Sequence, residues 1–189
     1  SFTPTDDSIY EKGGTAETAI IDVDTVSGGD AVENTTPQRV TISITENESA
    51  PSVSLSVGSV SQDVRISGRV LTEYGAAENG SGLTLTASLS GKMDTAATVS
   101  LTASGEATEG TDYQNISDIT IPAGSLSASA SFTPIDDAVY EDDESVVVEI
   151  SSVSGGASEN SDQAVSLSIQ ENESAPTVTL TSSASAIDE

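Results

Sequence analysis

The chain of 189 residues contains no cysteine, no histidine and no tryptophan, and only five lysines and arginines. Without Cys or His, most zinc, haem and iron–sulfur sites are excluded, which leaves oxygen ligands and therefore hard cations. The usual nucleophile–base pairs of covalent catalysis are missing as well, so no enzyme is expected. No disulfide can staple the fold, and stability must come from a buried core or a bound metal. Aromatic residues make up 3% of the chain, too few for the stacking platform of a carbohydrate-binding module. Helix signals are nearly absent, and no apolar stretch is long enough to span a bilayer. No signal peptide is present; the chain starts inside a repeat without an initiator Met, so that absence carries no weight.

What is abundant is negative charge. Thirty-one Asp and Glu give a formal net charge of −26. Such a surface repels DNA, RNA and anionic lipid and favours cations; no nucleic-acid partner and no direct membrane insertion are expected. The apolar residues are Val, Ile, Leu and Ala in short alternating runs, which points to folded strands and away from acidic disorder.

The chain repeats itself. Ser1–Glu11 (SFTPTDDSIYE) returns as Ser131–Glu141 (SFTPIDDAVYE) at an offset of 130. Val26–Gly29 returns as Val153–Gly156 at an offset of 127, and ENESAP at Glu46–Pro51 returns at Glu171–Pro176 at an offset of 125. The shrinking offset places small insertions in the first copy, one near Lys12-Gly13-Gly14. Thr177–Leu180 restates Ser52–Leu55. Residues 1–51 therefore read as the back half of one repeat, 52–176 as a complete repeat and 177–189 as the start of a third. The joints Ala50-Pro51 and Ala175-Pro176 are short, which favours a semi-rigid string of domains.

Strands are expected over Ser52–Val57, Val64–Leu71, Leu83–Ser90, Thr98–Ala103, Asp118–Ile121, Leu126–Pro134, Glu144–Val153 and Gln163–Gln170. Leu83, Leu85, Ala87 and Leu89 alternate with Thr and Ser, as do Val165, Leu167 and Ile169. Period two with one polar face is the pattern of antiparallel sheets packed face to face. Seven or eight such strands in about 125 residues predict an all-β fold of tandem immunoglobulin-like antiparallel β-sandwich repeats.

Asp136–Glu144 holds six carboxylates in nine residues with no Lys or Arg among them. So dense a turn is unfavourable unless a cation or water relieves it, and calcium takes six to eight oxygens from such groups. From composition alone, a solvated acidic turn and a metal site are equally good readings. Paired carboxylates also serve glycosidases, but these are adjacent on one turn and recur in each repeat, as structural metal sites do and catalytic sites rarely do.

Taken in order, Gly110–Tyr113 (GTDY), Ile119–Ser125 (ITIPAGS), Pro134–Asp137 (PIDD) and Tyr140–Glu144 (YEDDE) resemble a Calx-β domain over the whole of 52–176. The resemblance implies a calcium-binding β-sandwich of the kind found in sodium–calcium exchanger regulatory regions and in tandem arrays of bacterial surface proteins. It also implies a ligand set: Glu78, Asp112, Asp136, Asp137, Glu141, Glu144, Glu171 and Glu173. In the partial first repeat the counterparts are Asp6, Asp7, Glu11, Glu17, Glu46 and Glu48, and Glu189 is the counterpart of Glu78 in the third. Three departures stand out. Asn172 replaces an acid in the tail, the long Gly58–Thr72 segment lets Glu73 compete with Glu78, and Lys12-Gly13-Gly14 separates Glu11 from Glu17.

Phe2, Tyr10, Phe132 and Tyr140 occupy equivalent places in two copies and are expected to pack in the core. The sequons headed by Asn34, Asn47, Asn79, Asn115 and Asn172 are expected to be unused, and Thr-rich strand faces are ascribed to the solvated side of a sheet. The functional expectation is a calcium-binding structural repeat of a large extracellular or cell-surface protein, an adhesin-like stalk. Its partners are calcium ions and neighbouring repeats of the same chain, and its adhesion ligand is unknown. The alternative is a calcium-sensing regulatory module of a membrane transporter or receptor. The near-verbatim ENESAP copies favour the stalk.

Overall fold

The structure, a computed structural model, describes residues 2–11, 17–32, 36, 38–58, 61–66 and 69–183; for 61–66 and 69–73 it describes the course of the backbone alone. The Lys12-Gly13-Gly14 insertion, Asn34 and Glu189 lie outside the described residues.

Residues 2–50 contribute β1 (Ile9–Tyr10), β2 (Glu17–Asp22) and β3 (Arg39–Ile44). β2 and β3 pair antiparallel, with Glu17 opposite Ile44 and Asp22 opposite Arg39. Arg39 grips the Asp22 carboxylate with two nitrogens, at 2.7 and 2.9 Å, which lowers the pKa of that acid.

Residues 52–170 form two sheets. The strands are β4 (Ser52–Gly58), β5 (Ser61–Ile66), β6 (Arg69–Ala77), β7 (Leu83–Leu89), β8 (Lys92–Met93), β9 (Ala97–Gly105), β10 (Ile119–Ile121), β11 (Ser127–Phe132), β12 (Glu144–Val153), β13 (Ser158–Glu159) and β14 (Ala164–Gln170). One sheet has the order β10-β9-β12-β14-β6-β5 and the other β11-β7-β4-β13. The expected all-β sandwich is present. Most pairs are antiparallel; β14 with β6, β13 with β4 and β1 with β8 are parallel.

The alternation read from the sequence decides which face is buried. In β7, Leu83, Leu85, Ala87 and Leu89 are buried while Thr84 is exposed. Val146, Val148 and Ile150 of β12 and Leu167 and Ile169 of β14 face the same core, with Val53, Val99, Ile121 and Phe132 sealed from solvent. The Phe132 ring lies 5.1 Å from that of Tyr113. Burying side chains of this kind contributes about 1.5–3 kcal/mol each.

Two expectations are corrected here. The single strand expected over Val64–Leu71 is divided between two antiparallel strands, β5 and β6, with Ile66 opposite Arg69. The extra length of Gly58–Thr72 is this hairpin at the sheet edge. Of the four aromatics expected in the core, only Phe132 is there. Phe2 and Tyr140 are exposed, and Tyr10 is half-buried against the core of residues 52–170.

Candidate metal centre

Within residues 52–176 the chain gathers its proposed ligands by tying together loops distant in sequence. Asp112 is held in a tight turn, where its carboxylate accepts from the Thr108 N–H at 2.6 Å. The Asp112 carbonyl accepts from the Ile135 N–H at 2.9 Å, which brings the 136–144 turn alongside. At the end of β6 the Glu78 N–H donates to the Gln170 carbonyl at 3.0 Å, which sets Glu78 beside the ENESAP tail. Glu144 opens β12 opposite Ile169.

Among the described residues three carboxylate groups result, each with one oxygen per residue and all such oxygens within 4.8 Å of one another: Glu78 with Glu171 and Glu173, Asp112 with Glu141 and Glu144, and Glu11 with Glu46 and Glu48. Asp136 and Asp137 border the first of these. The Asp137 N–H donates to Glu78 Oε1 at 3.3 Å, and Asp136 Oδ1 accepts from Asn172 Nδ2 at 2.7 Å. Asp6, Asp7 and Glu17 line a cleft of about 300 Å³ with Glu11, Glu46 and Glu48. Every proposed ligand in the described residues thus lies at or beside a cluster. The side chain of Glu73 is outside the described ones, whereas Glu78 is 7% exposed and faces the cluster.

Both copies of the motif build the same frame. Glu46 accepts the N–H of Glu48 at 2.8 Å and that of Glu11 at 2.5 Å. Glu171 accepts the N–H of Glu173 at 2.6 Å and that of Glu141. Asn47 donates to Asp6 at 3.0 Å, as Asn172 does to Asp136. The Ile9 N–H donates to Asp7 at 2.8 Å, and the Val139 N–H to Asp137 at 2.6 Å. Asn172 is therefore a positioning residue for Asp136 as well as a missing charge. Three positioning residues were not among the expected ligands: Asp143, which accepts the Glu171 N–H at 2.9 Å, and the paired Asn47 and Asn172. Their sequence signal was that both asparagines recur within ENESAP.

Crowding shows in the protonation equilibria. Backbone N–H donors hold Glu46 and Glu171 down to about 2. Their neighbours move the opposite way: the shared hydrogen bond with Glu171 raises Glu173 to about 7, and that with Glu46 raises Glu11 to about 7. Glu78, Glu141 and Glu144 are raised first by burial and then by nearby carboxylates. Glu173 Oε2 is buried with no hydrogen-bond partner. Convergent oxygens and an orphaned carboxylate oxygen fit a hard cation such as calcium, which takes multiple carboxylates in flexible geometry.

Residues 66–172 match the sequence profile of the LapA domain. No curated protein sequence matches the chain. Solved structures similar to it include the apo-form Calx CBD1 domain, at 23% identity and TM-score 0.46 over 53% of this chain and 91% of that one. CBD12 from CALX1.2 is 25% identical with TM-score 0.45, over 52% of this chain and 40% of that one. The calcium binding domain CBD12 of CALX1.1 is 25% identical with TM-score 0.45, over 52% of this chain and 41% of that one. The family profile covers more than half of this chain, which therefore belongs to the LapA domain family, a family of bacterial adhesins.

Proposed function

We propose that this chain is a calcium-binding structural segment of a bacterial surface adhesin, in which calcium stiffens the joints between tandem repeats. Residues 1–51 are the back half of one repeat, 52–176 a complete repeat and 177–189 the start of a third. The observation that carries the reading is the twin cradle: two copies of the motif arrange Glu46 and Glu171, each with its own Asp and Asn partners, in the same hydrogen-bonded frame. Membership of the LapA domain family supports the adhesin context, and the acidic clusters support the ion.

The ligands we assign are Glu78, Asp136, Asp137, Glu171 and Glu173 around one position and Asp112, Glu141 and Glu144 around an adjoining one. In the first repeat they are Asp6, Asp7, Glu11, Glu46 and Glu48, with Glu17 at the rim. Bound calcium supplies positive charge that cancels the mutual repulsion of these carboxylates. The chain does the rest: backbone N–H groups aim Glu46 and Glu171, and the asparagines hold Asp6 and Asp136.

The coupling to stiffness follows from position. The first cradle ends at Glu48, three residues before Pro51, which is buried at the leading end of the next sandwich. The Pro51 carbonyl accepts from the Ser158 N–H at 3.1 Å. Tying Glu46 and Glu48 to Asp6, Asp7 and Glu11 therefore fixes the chain up to a packed linker. Extracellular calcium modules work at dissociation constants of about 10⁻⁴–10⁻³ M, so environmental calcium suffices. Small-angle scattering on two or more complete repeats tests this. The maximum dimension rises and flexibility falls in calcium relative to chelator; identical curves in the two conditions remove stiffening as the function.

A further inference from the structure

The contact between the first copy of the motif and the 52–176 unit has an unpartnered counterpart. Ile9 and Tyr10 run parallel to Lys92 and Met93, and the Asp94 N–H donates to the Tyr10 carbonyl at 3.1 Å. Tyr10 is half-buried against a core that includes Met93, itself 1% exposed. Together with buried Pro51, this makes a two-point joint: a covalent linker and, some forty residues earlier, a strand contact.

The duplicated motif carries Val139-Tyr140 where the first copy has Ile9-Tyr10. Their surroundings match. The N–H of Ile9 or Val139 is held by Asp7 or Asp137, and the N–H of Glu11 or Glu141 by Glu46 or Glu171. What differs is cover: Val139 is 59% exposed and Tyr140 43% exposed. A β-branched residue and an aromatic ring are thus presented to solvent on a backbone already fixed in shape, which lowers the ordering cost of docking.

We propose that Val139-Tyr140 is the docking edge for a further repeat of this kind, which lays its own counterpart of Lys92–Asp94 alongside as a parallel strand pair. The occupant is a second copy of the 52–176 unit, placed after Ala175-Pro176 as Ser52 follows Ala50-Pro51. The same surface then meets its complement head to tail at every joint, a heterologous contact that repeats along the array. The proposal rests on the tandem-repeat reading and not on calcium, and its test separates the two.

The chain contains no cysteine, so engineered pairs report a single contact. Residues 1–176 are followed directly by a second 52–176. Val139→Cys is combined with Lys92→Cys of the appended copy, and Ile9→Cys with Lys92→Cys of the resident copy serves as the reference. Paired strands lie about 4.8 Å apart, within the roughly 4.4–6.8 Å that a disulfide spans between Cα atoms. Both pairs are expected to cross-link, in chelator as in calcium. Cross-linking of the reference alone overturns the proposal, and so does failure of both, since the template contact is then absent. A second readout is proteolysis. Tyr10→Ser increases cleavage near residues 9–11 several-fold in the present chain, while Tyr140→Ser leaves the present chain unchanged and opens the second joint of the extended one. An extended chain indifferent to Tyr140→Ser contradicts the docking. Loss of calcium binding with cross-linking intact removes the calcium reading and leaves this one standing.

Discussion

The gathered carboxylates do opposite things in close quarters. Glu171 is held ionised by backbone donors while Glu173, sharing a hydrogen bond with it, keeps its proton up to about pH 7. Glu173→Gln imitates that protonated form. It is expected to melt slightly higher than the parent in chelator at pH 8 and to gain less from calcium, as thermal melts will show. Asp137→Asn is expected to weaken calcium binding by about tenfold or more without unfolding the chain, and Asp143→Asn to do so by about tenfold through the Glu171 backbone. Glu159→Gln, at a carboxylate that accepts the Gln163 N–H and belongs to none of the three groups, leaves calcium titrations unchanged.

The pH dependence follows from the same residues. Glu11 and Glu173 titrate near 7 in the folded chain and near 4.5 ordinarily. Between these values the folded state binds more protons than the unfolded one, so stability falls as pH rises. Glu46 and Glu171, at about 2, work in the other direction: their stabilisation is present above 4.5 and lost as pH falls toward 2. In chelator the melting temperature is expected to peak near pH 4.5–5 and decline toward pH 8. Saturating calcium replaces the protons and abolishes the decline on the alkaline side. A chelator curve that rises from pH 5 to 8 contradicts this account of the cradle.

At the scale of elements, side-chain alternation was legible wherever one face is fully buried. The Glu144–Val153 strand is found with the expected bounds, because Val146, Val148 and Ile150 share one face. Alternation failed over Val64–Leu71, because Val64 and Ile66 lie on one strand and Val70 and Leu71 on its antiparallel partner, and period two alone does not separate them. It was silent on β8 and β13, two-residue strands set by the partner they meet. The aromatics show the same limit. Phe132 and Tyr140 lie close in sequence, yet one is sealed in the core and the other exposed; only the fold separates them. Phe132→Ala is expected to cost about 3–5 kcal/mol in chemical denaturation. Gly105→Ala also destabilises, since its φ is +139° and a Cβ there meets the Ser145 carbonyl oxygen at 2.2 Å. A fully tolerated Gly105→Ala contradicts the β9–β12 register.

For the whole molecule, two signals made the candidate site readable: the motif pairs at offsets of 130 and 125 contain six of the nine carboxylates that the fold gathers, and the Calx-β resemblance supplied Glu78, Asp112 and Glu144. What the sequence left out was how they are held, because Asp143 and the asparagines act through backbone N–H groups and amide donors that appear only when distant loops meet. Site and proposed joint lie close together, since one acidic frame ends three residues before buried Pro51. The most direct test of the calcium reading is calorimetric titration of the full chain with calcium, beside a variant carrying both Glu48→Gln and Glu173→Gln. The parent is expected to give saturable heat that exceeds any from magnesium, and the double variant to lose most of it while staying folded. A folded parent with no calcium heat, or a double variant that titrates like the parent, contradicts the claim that these cradles are calcium sites.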